Sequence, residues 1–182
     1  MKITRTLLES IPILLLVTCI SIFAGYLLNS TLSLGEIVGV LTVTPALLST
    51  GGNIGTSFGS RITTSLHSGL IEPHFKRIRL VYVNFIAMLT AGIIIAVIIG
   101  FLGYFLSILI NPIQNFTLTS YLILTIGAGI IDYSVVLFIS LFTAFLSFRR
   151  GLDPDNLVAP LVTTIADLIG ISTIFLILNL LV

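Results

Sequence analysis

The sequence predicts an all-α membrane protein with five transmembrane helices, its N-terminus in the cytoplasm and its C-terminus outside. The prediction depends on the composition, the long apolar stretches and the positions of the basic residues. Of the 182 residues, 57% are hydrophobic and 8% are charged, and the mean hydropathy is +1.22. Soluble domains carry about 25% charged residues, so we expect a multi-pass protein of the cell membrane, with the lipid bilayer rather than nucleic acid as its surroundings.

Five stretches are long enough to cross the hydrocarbon core, which takes roughly 20 apolar residues per helix. They cover about residues 7–28, 37–66, 80–110, 118–148 and 157–181. The first resembles a signal peptide, but it is too long and lacks a cleavage site, so we interpret it as a span. We expect the second and fifth helices to be irregular, because they contain glycines and a proline.

All eight Lys and Arg residues fall on one side of this arrangement. Two precede the first span, two separate the fourth span from the fifth, and the others lie at the end of the second span or before the third. They are Lys2, Arg5, Arg61, Lys76, Arg77, Arg79, Arg149 and Arg150. The positive-inside rule therefore places the N-terminus in the cytoplasm.

Two of the seven acidic residues, Asp132 and Asp167, lie inside predicted spans. A carboxylate near the bilayer centre costs roughly 2.5–3.5 kcal/mol on insertion scales, and such residues usually serve a function. Asp167 lies roughly 11 residues into the fifth span and so about 16 Å deep. A protonated Asp that bonds to a neighbouring helix is the alternative, and it weighs more for Asp132 than for Asp167.

Asn156, Pro160, Thr163 and Asp167 follow spacings of four, three and four residues, which places them on one helix face. Pro160 has no N–H, so the carbonyl of Asn156 loses its helical partner. A freed carbonyl at membrane depth is tolerated only where it meets protein or water. This row predicts a wet path from the cytoplasmic end to mid-membrane; a kink with capping residues is the alternative.

The second span contains TPALLSTGGNIGTSFGSRITTS and is rich in Gly, Ser and Thr. Small residues let helices pack closely in membranes, but Gly51-Gly52-Asn53 could also break the helix and turn backbone groups toward a cavity. Close packing alone leaves a cluster of polar side chains unexplained: Asn53, Thr56, Ser57, Ser60, Thr63 and Thr64.

Carboxylate, amide, hydroxyl and carbonyl oxygens suit hard cations such as Mg²⁺, Ca²⁺ and Mn²⁺. One central Asp per chain is little charge for a divalent ion, so we expect a homodimer with Asp167 of each chain at the two-fold axis. A wide oxygen-lined path suits a partly hydrated ion. The residues alone predict a cation path and leave the ion open.

Two segments carry longer motifs. Residues 44–64, TPALLSTGGNIGTSFGSRITT, run from a Pro-Ala-Leu-Leu sequence into Gly-Gly-Asn, and residues 151–170, GLDPDNLVAPLVTTIADLIG, run from Asp-Pro through Pro-Leu-Val-Thr-Thr to an Asp and a Gly. They resemble the second and last helices of the MgtE family of magnesium transporters, which includes eukaryotic MgtE-like solute carriers. The rest of the chain is similar to that family only in span count and topology.

This resemblance implies a homodimer of five-helix units that transports Mg²⁺ through a pore on the two-fold axis, with Asp167 as the central Mg²⁺-binding carboxylate. The expected metal-binding residues are Asp167, Thr163, Asn53 and Asp132. The expected pore-lining residues are Gly51, Gly52, Thr56, Asn156, Pro160 and Thr164. Asp132 has no counterpart in the family's motifs; a second cation site and a coupling role with a proton or Na⁺ both stay open.

Bacterial members of the family carry cytoplasmic sensing domains, whereas here we expect a single transmembrane domain over residues 1–182. Regulation would then come from a separate regulatory chain, the membrane-embedded site or the basic loop 72–79. A proton- or sodium-coupled transporter of another small solute is the main alternative function. An intramembrane aspartyl protease is a minor one, because Ile130 and Ile131 interrupt the Gly-x-Gly-Asp motif it would need. We expect no enzymatic activity.

Overall fold

The computed structural model describes residues 3–32, 38–72, 79–110 and 116–181. Within these ranges it contains five α-helices and no strand, which confirms the predicted all-α fold. The helices are α1 (Ile3–Leu32), α2 (Val38–His67), α3 (Arg79–Ile110), α4 (Leu118–Arg149) and α5 (Pro154–Leu181). Lys2, Lys76 and Arg77 lie outside the described residues, and the orientation of the termini stays a prediction.

Three helices in the described part of the chain are long and apolar enough to cross a membrane. They are α3, α4 and the Asn156–Leu181 segment of α5. The Ile11–Tyr26 segment of α1 is apolar but shorter, and α2 contains many Gly, Ser and Thr residues. The exposed side chains of α3 are mostly large and apolar, such as Leu102 and Leu109, which suits contact with hydrocarbon.

α2 and α5 are continuous helices, so the expected irregularity of the second and fifth helices is not confirmed. α2 runs unbroken through Gly51-Gly52-Asn53, and α5 runs unbroken through Pro160. Glycine costs about 1 kcal/mol relative to Ala in a helix, and close packing against neighbouring helices offsets this cost. Pro160 lies near the start of α5, where it removes a single backbone hydrogen bond.

Glycines at every fourth residue of α2 set its contact with α4. A Cβ at each of three glycines would run into a different α4 side chain: Gly51 into Asp132, Gly55 into Val136 and Gly59 into Ser140. Both series advance by four residues in the same sense, so α2 and α4 run parallel. The buried Ser140 hydroxyl also donates a hydrogen bond of 2.7 Å to the Gly55 carbonyl oxygen.

α5 packs beside the same glycines in the opposite direction. A Cβ on Gly52 would touch Thr163, one on Gly55 would meet Val162 and one on Gly59 would meet Val158. α2 therefore packs against α3, α4 and α5, whereas α1 contacts only α5 among the described helices. Parallel α2 and α4 with an antiparallel α5 are the directions that successive membrane crossings require.

Candidate cation site

Asp132, Asp167 and the Gly51-Gly52 pair come from the middle of three different helices. Each lies about 13 or 14 residues, and hence about 20 Å, from the start of its helix at 1.5 Å per residue. Because these helices pack against one another, the two acids and the glycines share one level of the bundle.

Asp132 is 3% exposed and fills space left by two glycines. A Cβ on Gly51 would collide with its Oδ2, and a Cβ on Gly170 would lie 3.6 Å from the same atom. Its Oδ1 has no hydrogen-bond partner among the described residues. A buried carboxylate without a partner is strongly unfavourable, so this oxygen requires compensation by a proton or a cation.

Asp167 is half-buried and lies one helical turn before Gly170, the residue of α5 that packs beside the Asp132 carboxyl. The two acids inside predicted spans, which are 35 positions apart in the sequence, therefore belong to one electrostatic environment. Two neighbouring carboxylates repel each other in a low-dielectric medium, and a divalent cation relieves that repulsion. The described residues contain no cluster of three or more His, Cys, Asp or Glu, so neutral oxygens would have to complete the coordination of any ion.

The polar row predicted along α5 is half-buried at every position: Asn156, Pro160, Thr163 and Asp167. The Thr163 hydroxyl donates to the carbonyl oxygens of Ala159 and Pro160, at 3.0 and 3.2 Å. A hydroxyl that donates in this way keeps oxygen lone pairs for a cation or water. Thr164 is 6% exposed, so it lies in the interior and apart from this row.

α2 presents a polar face to the outside of the chain. Its exposed positions recur every three or four residues: Ser49, Asn53, Ser57, Ser60 and Thr64. Within this face the Asn53 amide donates to the Ser49 hydroxyl at 3.4 Å. Beside it, the half-buried Thr56 hydroxyl donates to the Gly52 carbonyl oxygen at 2.9 Å. Polar groups are unfavourable against hydrocarbon, so this face requires water, an ion or a second protein surface.

A groove of about 590 Å³ lies between α2 and the start of α5. It is lined by Thr56, Ser57, Ser60 and Arg61 of α2 and by Val158 and Ala159 of α5. Of the pore-lining residues predicted from the sequence, only Thr56 lines this groove. Arg61 had served in the sequence analysis as a marker of orientation alone.

Sequence reasoning missed the contacts of Asp132 with Gly51 and Gly170. A signal for the first contact is present, because the series Gly51-Gly55-Gly59 matches the series Asp132-Val136-Ser140 residue for residue. Two series with four-residue spacing are typical of helices that pack along their length. The pairing between the two series becomes visible only once the helices are placed side by side.

Comparison with known proteins gives a family match over most of the chain. The sequence model of the MgtE family, described as a divalent cation transporter, matches residues 44–177, which include both motif segments. Solute carrier family 41 member 3 of Mus musculus is 29% identical over 174 residues, covering 90% of this chain and 36% of the relative. Solute carrier family 41 member 2 of Homo sapiens is 26% identical over 185 residues, covering 95% and 32%. The chain thus spans about a third of the length of the curated relatives it matches.

Proposed function

The chain belongs to the MgtE family of divalent cation transporters, and from this premise we propose that it moves partly hydrated Mg²⁺ across the cell membrane along an oxygen-lined path. The observation that carries the proposal is the packing of the buried Asp132 carboxyl against Gly51 of α2 and Gly170 of α5, which places it about one helical turn from Asp167 in the middle of the bundle. Carboxylate, hydroxyl and amide oxygens are the ligands that Mg²⁺ prefers, and Mg²⁺ usually keeps several of its waters.

The proposal includes five membrane crossings, with the N-terminus in the cytoplasm and the C-terminus outside. The alternating directions of α2, α4 and α5 support five crossings, and the one-sided distribution of Lys and Arg in the sequence supports the orientation. α1 and α2 also count as spans in this proposal. The apolar segment of α1 is shorter than those of α3, α4 and α5, and the composition of α2 is less apolar. α2 can cross because its polar face would line the path rather than meet lipid.

The path runs between two copies of the chain in this proposal. The polar face of α2 lies beside the half-buried row of α5, so a two-fold axis along them would enclose both in protein and water. Each copy would supply one Asp167, and two carboxylates balance the charge of one divalent ion. A homodimer thereby solves two problems together, the exposed polar face and the shortage of negative charge.

The residues take different roles according to their burial. Asp167 and Thr163 are half-buried and Asn53 is exposed, so all three can meet an ion or its water shell on the path. Asp132 lies behind Gly51, nearly inaccessible, so it would act on the path ion through its charge. Because Mg²⁺ holds its waters tightly, most of these contacts would pass through water.

Replacing the central carboxylate tests the proposal. Asp167→Asn keeps the shape of the side chain and removes the charge that holds the ion, so it abolishes Mg²⁺ uptake into proteoliposomes. The measurement is the initial rate reported by an internal Mg²⁺ indicator, with size-exclusion chromatography to check that the dimer persists. Asn179→Ala is the matched control: that exposed amide, also on α5, donates to the Phe175 carbonyl oxygen of its own helix and lies about three turns beyond Asp167, so uptake remains. Wild-type uptake rates in Asp167→Asn would reject the proposal.

A coupling role for Asp132 is a second candidate, and the unpartnered buried Oδ1 favours it. Such an oxygen could carry a proton or Na⁺ against the movement of the transported ion. In that case Asp132→Asn changes the dependence of uptake on pH or on a Na⁺ gradient. Identical pH and Na⁺ profiles in wild type and variant would restrict Asp132 to an electrostatic role.

A further inference from the structure

Arg61 lies at the end of the bundle where α2 finishes and α5 begins, on the wall of the groove between them. It is exposed, and it lines the groove with Ser57 and Ser60 on one side and Ala159 on the other. It is six residues before the last residue of α2 and so about 9 Å from that end. A fixed positive charge thus stands at a mouth of the path proposed for a positive ion.

The guanidinium of Arg61 is held in place by a neighbouring helix. Arg61 Nη1 donates to Asn84 Oδ1 of α3 at 3.2 Å. Asn84 Nδ2 in turn donates to the Leu80 carbonyl oxygen at 2.9 Å, which orients the amide so that its oxygen points to Arg61. The hydrogen bond therefore favours a position of the exposed guanidinium on the groove wall beside α3.

The partner of Arg61 leaves its charge intact. The Asn84 amide is neutral, so the hydrogen bond orients the guanidinium without neutralising it, and a guanidinium stays protonated in proteins. The groove's other polar groups are the hydroxyls of Thr56, Ser57 and Ser60. The attraction between these hydroxyl dipoles and a cation offsets only part of the repulsion by the full charge of Arg61 at the same distance.

The central acids are too far from this mouth to cancel the field of Arg61. Arg61 is ten residues beyond Gly51 on α2, a distance of about 15 Å along the helix axis. In a wet path at physiological salt, charges separated by more than about 8 Å are largely screened from each other. An ion in the groove therefore meets Arg61 before it meets Asp132 or Asp167.

From this geometry we infer that Arg61 is a rate-limiting electrostatic barrier to divalent cations at the mouth of the path, positioned by Asn84. This inference rests on the proposed function. The repulsion energy grows with the charge of the ion, so the Boltzmann factor for a divalent cation is the square of that for a monovalent one. Arg61 thereby acts most strongly on the class of ion that the family carries.

The Arg61–Asn84 contact allows a test in which the net charge of the pair changes in steps. Arg61→Gln and Asn84→Asp each lower the net charge from +1 to 0, by removing the cation or by giving it a carboxylate partner. The double variant has a net charge of −1. Because the barrier depends on charge and not on which residue carries it, the two single variants speed Mg²⁺ permeation alike, and the double variant speeds it further. We expect about a fivefold to tenfold rise per unit of charge at subsaturating Mg²⁺.

The measurement is the initial rate of Mg²⁺ uptake into proteoliposomes that contain equal amounts of protein. The thermal unfolding midpoint of each variant shows that it is folded. Arg149→Gln is the matched control, since it removes the same charge from an exposed position at the end of α4 that does not line the groove; its rate stays at the wild-type value. If Arg61→Gln does not fold, Asn84→Asp carries the same test with the arginine in place.

Two results would overturn the inference that Arg61 is a barrier. Either Arg61→Gln and Asn84→Asp change the uptake rate in opposite directions, or the double variant is no faster than either single variant; the contact would then have a structural role. Failure of the proposed function looks different. In that case the wild type takes up no more Mg²⁺ than Asp167→Asn does, and both ideas fall. Loss of uptake in Asp167→Asn without any response to the charge of the pair rejects only the barrier.

Discussion

Gly51 and Gly52 are adjacent residues of α2 that face different helices. A Cβ on Gly51 would collide with Asp132 Oδ2, in the middle of the bundle. A Cβ on Gly52 would lie 3.4 Å from Thr163 Cγ2, an ordinary van der Waals contact. The pair thus offers two substitutions with the same chemistry and different surroundings.

We predict that Gly51→Ala lowers the free energy of unfolding by about 1–3 kcal/mol, because an added methyl group in a packed interior forces the Asp132 carboxyl or the backbone to move. Gly52→Ala changes it by less, since the added Cβ fits against Thr163. Thermal unfolding in detergent measures both variants.

Gly25→Ala is the control for helix propensity alone. Nothing lies within 4 Å of a Cβ at Gly25, and Ala is favoured over Gly in a helix by about 0.5–1 kcal/mol. This variant should therefore unfold at the same temperature or slightly higher. Equal losses in Gly51→Ala and Gly52→Ala would show that the carboxyl contact is not the cause.

Single residues also show where prediction from the sequence stops. The half-buried row from Asn156 to Asp167 follows directly from helical spacing within one segment. The position of Asp132 does not, because its neighbours Gly51 and Gly170 are far from it in the chain and depend on which helices pack together. The unpartnered Oδ1 of Asp132 is likewise a property of the packed bundle.

At the scale of helices, the contact between α2 and α4 combines small residues with one polar link. Ser140 is fully buried, and its hydroxyl donates to the Gly55 carbonyl oxygen across the interface at 2.7 Å. Ser134 on the same helix instead donates to the Ile130 carbonyl oxygen of its own chain segment at 2.6 Å. The two serines differ in whether their hydrogen bond joins two helices.

We predict that Ser140→Ala destabilises the protein by about 1 kcal/mol, the usual net value of a hydrogen bond between membrane helices. Ser134→Ala removes a bond within one helix and should change stability by much less. Unfolding of both variants in the same detergent provides the comparison. A loss in Ser134→Ala as large as that in Ser140→Ala would deny the cross-helix bond a special role.

The number of helices was predictable from the apolar stretches, and so were the limits of α2 to α5 to within about three residues, whereas α1 extends four residues further at each end than predicted. The continuity of α2 was not predictable. Glycine both weakens a helix and allows close packing, and the sequence of α2 alone does not decide between them. The neighbouring helices determine the outcome. Side chains of α4 and the valines of α5 pack closely against Gly55 and Gly59, and this packing favours a continuous α2.

At the scale of the whole molecule, the exterior divides into two kinds of surface. α3 exposes large apolar side chains, including Leu102 at 57% and Phe105 at 59%. α2 exposes Ser57, Ser60 and their polar neighbours. Hydrocarbon suits the first surface and not the second, so in a bilayer the two cannot have the same surroundings.

This division leads to a prediction about assembly. In a background with Cys19→Ala, because the native cysteine is exposed, a single cysteine at position 57 should join two chains in the membrane under mild oxidation. Ser57 lies on the polar face, and a residue beside a two-fold axis meets its own copy. A disulfide needs Cα atoms within about 7 Å, so a short bismaleimide extends the reach if the axis is wider.

Leu102→Cys in the same background is the matched control, since that position is exposed on the apolar surface of α3 and should face lipid. Denaturing electrophoresis then shows a band of twice the mass for Ser57→Cys and not for Leu102→Cys. Crosslinking of both variants at equal rates would indicate random collision. Crosslinking through position 102 alone would move the interface to α3, and the polar face of α2 would then need water inside a single chain to satisfy it.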